Sequence, residues 1–255
     1  MRYFARIKYV GTAYCGFQWQ PHQMTVQEAL NRACRALFGV ECAVTGCSRT
    51  DSGVHAEDFC MTIDVPKGGA AVPPSALPRA IIPHLPDDIS LFHAEEADES
   101  FHARYDVKQK EYRYRIHLSP VPDPFYAHRA WHFPYPIRED AIERMRLAAS
   151  YLVGMHDFSA FKSDDGTEKE TCRTVDAIEI TRDGDMITVS VTANGFLYHM
   201  VRIITGTLMD VAVGRMTPKD VQAALESRAR KNAGMTAPPD GLYLYRVTYN
   251  RMPKQ

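Results

Sequence analysis

Apolar and polar positions alternate from the start of the chain. Tyr3, Ala5, Ile7 and Tyr9 fall on one side and Phe4, Arg6 and Lys8 on the other, which predicts a first strand ended by Gly11. The period then becomes helical: Val26, Ala29, Leu30, Ala33, Leu37 and Phe38 form a stripe behind a Thr25 to Glu28 capping-box spacing and before Gly39. Ala43 and Val44 lead into a polar knot, and Val54, Phe59, Met61, Ile63 and Val65 lead away from it, predicting strands on either side of a turn. A short helix over 77–82 and a strand over 89–94 complete a first half. From Lys110 the alternation returns, with Tyr112, Tyr114 and Ile116 on one face and Glu111, Arg113, Arg115 and His117 on the other.

Prolines at 120, 122, 124, 134 and 136 punctuate a stretch read as the crossover between halves. A helix over 139–153 is expected to bury Ile142, Met145, Ala149 and Leu152, with His156 to Phe161 in a loop after it. Strands over 174–182 and 186–193 meet at Asp183-Gly184-Asp185, a hairpin signal. A long apolar helix opens near Phe196 and runs through Val211, and a last one starts near Thr217-Pro218. The pattern predicts an α/β (α+β) protein of two halves, 1–104 and 105–255.

Composition narrows the class. The chain has 255 residues and a net charge of -1, from 30 basic and 31 acidic side chains, so it is not a globally basic nucleic-acid binder; a local basic groove stays open. The six cysteines, at 15, 34, 42, 47, 60 and 172, form no C-x-x-C pair. His84, His93 and His102 have no helical or hairpin ligand spacing, so no metal site is expected. Without a leader or membrane-length apolar run, the sequence reads as cytoplasmic, with no membrane association.

The polar knot carries the candidate chemistry: Gly46-Cys47-Ser48-Arg49-Thr50-Asp51-Ser52-Gly53-Val54-His55-Ala56. Arg49 and Asp51, two apart on extended backbone, would face one side, and a nearby arginine favours an ionised carboxylate. The bland alternative is a turn-capping aspartate and a surface arginine. Residues 101–117 hold five Lys or Arg against two acids, suggesting a polyanionic partner or an outer strand with its arginines in water. Tyr14, Phe17 and Trp19 sit in a glycine-rich surface loop and either pack or contact nucleotides. Arg202, set among Met200, Val201, Ile203 and Ile204, must find a carboxylate or reach water, and Asp51 is the natural candidate.

The knot closely resembles the G-R-T-D-A-G-V-H-A signature of the tRNA pseudouridine synthase A family, with Ser48 in place of Gly and Ser52 in place of Ala. Similar blocks follow in order: Gly11 to Gln20, with Phe17 in place of Trp; Phe101 to Tyr105 with Lys110 to Tyr114; His156 to Phe161; Phe196 to Arg202; and Ala237 to Leu244. The resemblance implies the pseudouridine-synthase fold, two related subdomains with mainly antiparallel sheets flanked by helices around a central basic cleft, usually in a homodimer. It implies tRNA as substrate, at uridines 38, 39 and 40 of the anticodon stem-loop. It assigns Asp51 to catalysis, Tyr112 to stacking on the base, Arg49 to the flipped nucleotide's vacated space or phosphate, and Arg202 to the aspartate. Leu242 becomes an apolar wall of the uracil pocket.

The isomerisation breaks N1 to C1′ and joins C5 to C1′ without redox change, so no cofactor is expected. Asp51 would attack C1′ or remove a C2′ proton, attack at uracil C6 being a third route. Two other classes stay open: a noncatalytic RNA-binding module, and a nucleoside glycosidase, which usually needs a second carboxylate.

Overall fold

The computed structural model describes all residues except 165–169, 252, 254 and 255. They form two compact units, one of residues 1–108 with 243–255 and one of residues 109–242.

The first unit carries β1 (Arg2–Tyr9), α1 (Val26–Phe38), β2 (Ala43–Gly46), β3 (His55–Asp64), α2 (Leu77–Ile81) and β4 (Ile89–Glu96). β1 lies between β3 and β4, antiparallel to both, and β2 extends the pairing of β3. The β1–β3 register sets Ala5 against Met61 and Ile7 against Phe59, all fully buried. Phe4, predicted on the polar face, is buried too, because Phe101 and Tyr249 meet its ring edge-on at 5.5 Å.

α1 follows its sequence pattern. Thr25 Oγ1 accepts the Glu28 N–H at 3.2 Å, and Gly39 ends the helix at φ +74°. Such a cap is worth about 1 kcal/mol. Val26, Ala29, Leu30, Ala33 and Phe38 are buried as the stripe requires, and Phe38 stacks on Tyr3.

The second unit takes up β5 (Val107–Leu118) from residue 109, then β6 (Trp131–Phe133), α3 (Ala141–Ser150), β7 (Gly154–Asp157), β8 (Cys172–Asp183), β9 (Met186–Ala193), α4 (Met200–Ala212) and α5 (Pro218–Ser227). β5, β9, β8 and β7 pair antiparallel in that order, with Gly184 at φ +56° turning β8 into β9. Along β5 Tyr112, Tyr114 and Ile116 are inside as predicted, but the alternation fails at its end, where His117 of the predicted polar face is buried as well.

Several expectations change. The proline-punctuated stretch is not a bare crossover, since β6 pairs parallel with β5 through Trp131 and Ile116. α4 begins at Met200, four residues late, because His199 sits at φ +62° outside helical geometry. α3 buries Ala141 and Ala148 beside Met145 and Ala149, leaving Ile142 half-buried. His156 and Asp157 end a strand instead of lying in a loop.

The chain closes with β10 (Leu242–Tyr249), which pairs parallel with β3, Tyr243 against His55 and Leu244 against Ala56. Tyr249 donates its hydroxyl to the Ala103 carbonyl at 2.9 Å. These bonds fold residues 243–249 with the first unit, whereas the sequence division at 104 groups them with the second half. The result is the expected mixed α/β class, with mainly antiparallel pairing. Among the described residues no helix is long and apolar enough to cross a membrane.

Candidate active site

β2 and β3 hold Asp51 on the loop between them. The Cys47 N–H still bonds the Cys60 carbonyl at 2.9 Å, and the chain then leaves the sheet. Val54 N–H returns to the Asp51 carbonyl at 3.2 Å, closing a four-residue turn whose third residue, Gly53, has φ +81°. That position suits glycine. Thr50 points inward, its Oγ1 2.8 Å from the Tyr9 hydroxyl, while Arg49 is exposed and Asp51 half-buried.

A second loop, residues 11–17, clamps this turn from outside. The Tyr14 carbonyl accepts from Gly53 N–H and Ser52 Oγ, both at 3.3 Å, and Phe17 N–H donates to the Thr50 carbonyl at 3.2 Å. The approach is backbone on backbone: a Cβ on Gly11 would lie 1.9 Å from the Val54 carbonyl oxygen, and one on Gly16 2.5 Å from that of Thr50. Gly11 N–H also donates to His55 Nδ1 at 3.0 Å, and the buried His55 ring stacks on Tyr243 at 4.7 Å. His55 therefore supports the loop from below. Phe17 and Tyr14 are packing residues, Phe17 stacked on Phe59 at 4.1 Å, whereas Trp19 is exposed.

Arg49 lines a cavity of about 240 Å³ within the first unit. The other candidates lie in the second unit. Tyr112 is 6% exposed and meets Phe196 edge-on at 4.9 Å. Arg202, in the first turn of α4, donates Nε–H to the Ala237 carbonyl at 2.7 Å, and Ala237 N–H returns to the Arg202 carbonyl at 3.1 Å. The segment so tied also accepts the Tyr114 hydroxyl at the Pro238 carbonyl, 2.6 Å away. Gly241 lies so close to β5 that a Cβ would fall 2.5 Å from the Arg115 carbonyl oxygen, and the buried Leu242 follows it. One framework thus positions Tyr112, Arg202 and Leu242, and the loop of the first unit positions Arg49 and Asp51.

The His156, Asp157 and Ser159 neighbours form no catalytic relay. Asp157 accepts the Ser159 hydroxyl and N–H, bonds that hold its carboxylate below the usual range, while His156 Nε2 faces the Val153 carbonyl at 2.9 Å. Phe158 and Phe161 are fully buried, which makes this a packing motif. Among the described residues no group of three or more His, Cys, Asp or Glu is placed to hold a metal ion.

The profile of the tRNA pseudouridine synthase family matches residues 5–106 and 148–250, which include the clamp, the Asp51 loop, Arg202 and Leu242. The chain belongs to this family. A tRNA pseudouridine synthase A of Thermoanaerobacter sp. is 43% identical over 95% of this chain and 97% of its own. Relatives of the same name from Bacillus velezensis and Bacillus subtilis are 41% and 40% identical, each over 98% of this chain and 100% of their own. The likeness to a chain in a Cbf5-Nop10-Gar1 complex is slight, with a TM-score of 0.36 and 11% identity over 94% of this chain and 57% of that one.

Sequence reading missed the clamp as a support of the Asp51 loop. Its signal was there in Gly11 and Gly16, where no side chain fits.

Proposed function

We propose that this chain converts uridine to pseudouridine in the anticodon stem-loop of tRNA, with Asp51 as the reacting carboxylate. Family membership supplies the reaction and the tRNA substrate. The observation that carries the residue assignment is the clamped turn, which buries Thr50 and His55 on either side of a half-exposed Asp51. A carboxylate held on rigid backbone has its geometry fixed before substrate arrives.

In the reaction the N1 to C1′ bond breaks, the uracil turns while held noncovalently, C5 joins C1′, and the hydrogen on C5 leaves to water. Asp51 acts by attack at C1′ or by removal of the C2′ proton. A uridine in a stem must first leave the stack, at a cost of a few kcal/mol that contacts to the protein offset. Arg49, exposed beside the turn, is assigned to the space or phosphate of the flipped nucleotide; Tyr112 to the uracil face; Arg202 and Leu242 to the substrate pocket. The reading extends to a homodimer in the cytoplasm, where the thiols would stay reduced.

The test uses unmodified tRNA carrying tritium at uridine C5. Wild-type protein should release tritium to water, and Asp51→Asn should bind the tRNA without release. Release by the variant would remove Asp51 from the chemistry. Binding without release by wild type would favour a noncatalytic RNA-binding protein, and free uracil a glycosidase.

A further inference from the structure

We infer that the turn at residues 102–106 and the cavity beside Arg49 form a subsite for a nucleotide next to the reacting uridine, its base stacked on Tyr105 and the phosphate that links it to the flipped uridine held by Arg49 and Arg104. The inference rests on the reading of the chain as an enzyme acting on tRNA.

The turn is built to present two side chains. His102 N–H and Arg251 donate to Asp106 Oδ2 at 2.8 Å, and His102 Nδ1 accepts the N–H groups of Arg104 and Tyr105 at 3.1 and 3.3 Å. Phe101 and Ala103 are buried, and Ala103 also accepts the Tyr249 hydroxyl. What this anchoring leaves outside is Arg104 and Tyr105, the latter 75% exposed. The Tyr105 ring is not loose: His102 lies against it at 4.2 Å, and the Arg104 guanidinium is 6.0 Å from its centroid. A large aromatic surface held in water by a rigid turn has no packing purpose, but it is what a nucleobase stacks on.

The adjoining cavity has the complementary chemistry. Arg49, Arg104, Gln18, Ser48 and Thr45 line it, and no carboxylate does. Neither guanidinium makes an ion pair with a described residue. Two arginines converging on a polar hollow without a counter-charge suit a phosphate. At about 240 Å³ the hollow is smaller than the roughly 300–1,000 Å³ of whole-ligand pockets. It therefore takes the backbone of a nucleotide and leaves the base to the exposed ring. Arg49 stands two residues from Asp51, so the nucleotide held here is a neighbour of the target.

The test compares wild type, Tyr105→Ala, Tyr105→Phe and Arg104→Ala for binding of unmodified tRNA across a salt series and for tritium release. Tyr105→Ala should weaken binding about tenfold and raise KM more than it lowers kcat, with Tyr105→Phe close to wild type. Arg104→Ala should reduce the slope of log K against log salt by about 0.7–0.9, the contribution of one phosphate. Binding by Tyr105→Ala within about twofold of wild type, equal weakening in Tyr105→Phe, or an unchanged slope in Arg104→Ala would overturn the subsite. If wild type itself releases no tritium, the functional reading fails; if wild type is active and the variants match it, the subsite alone fails.

Discussion

The Tyr9 hydroxyl lies 2.8 Å from Thr50 Oγ1, a buried hydrogen bond that ties the end of β1 to the residue before Asp51. Through it the rigidity of the sheet reaches the proposed reacting group. Tyr9→Phe keeps the ring against Phe59, 5.7 Å away, but removes that bond. A buried hydroxyl losing its partner costs about 1–2 kcal/mol. The variant should melt a few degrees lower, and single-turnover tritium release should slow more than tRNA binding weakens. Thr50→Ser should behave nearly as wild type, and Thr50→Val as Tyr9→Phe. Release at the wild-type rate in Tyr9→Phe would show that the bond does not position the loop.

The glycines of the clamp give a sharper test. A methyl group at Gly11 meets the Val54 carbonyl at 1.9 Å, so one backbone must move, and the one that moves carries Asp51. Displacement of a reacting group by about 1 Å costs on the order of a hundredfold in rate. Gly11→Ala and Gly16→Ala should each lose about that much in kcat while retaining most of their tRNA affinity. Gly39→Ala serves as the comparison, because a Cβ there meets nothing within 4 Å. It should lower stability, its φ being +74°, without the rate loss.

The contrast between α1 and the clamp shows what a sequence carries. α1 was legible from Thr25 to Gly39 because cap, stripe and stop are all local, within one helix. The Asp51 loop was legible by its string of residues. The clamp was not, since it joins residues 11–17 to residues 50–54 by backbone contacts, and side-chain periodicity is blind to those. Whether Tyr14 and Phe17 pack or face a ligand was likewise open until their burial was seen. β6 is three residues long, too short to show a period among prolines. β10 joins the first unit through a parallel register with β3, and nothing local specifies such a pairing. The spacing of Arg49 and Asp51 was read on extended backbone facing one side, and a turn that begins at Asp51 is not visible in a two-residue spacing.

Thiol reactivity tests the packing of the first unit. Burial pushes the Cys34 thiol up to about 12 and Cys60 well above its ordinary value, and Cys47 is fully buried. Cys15 is half-buried and Cys172 exposed. The thiolate is the reactive form, so alkylation of native protein near pH 8 should label the accessible Cys15, and more slowly Cys172, whose thiol the hydrogen bond with Glu170 pushes up, and spare Cys34, Cys47 and Cys60 until denaturant is added. Mass mapping of the labelled peptides decides it. Rapid labelling of Cys60 in the native state would mean that β3 is less covered than the structure shows.

Acid should release the turn that presents Tyr105. The bond from His102 N–H, and next the Arg251 guanidinium, hold the Asp106 carboxylate below its ordinary range. A carboxylate whose folded pKa lies below its unfolded value stabilises the fold above the unfolded value, near pH 4, and loses that contribution as pH falls through the folded value. Cooling of the melting temperature between about pH 5 and pH 3 should therefore be steeper in wild type than in Asp106→Asn, which has no proton to gain at this position. Arg251→Ala should be intermediate, because the backbone bond survives in it. Hydrogen exchange supplies the local readout: the amides of Arg104 and Tyr105, bonded to His102 Nδ1, should lose protection over the same window in wild type. An Asp106→Asn melting profile as steep as that of wild type would assign the acid sensitivity to other carboxylates and leave the turn anchored by its backbone alone.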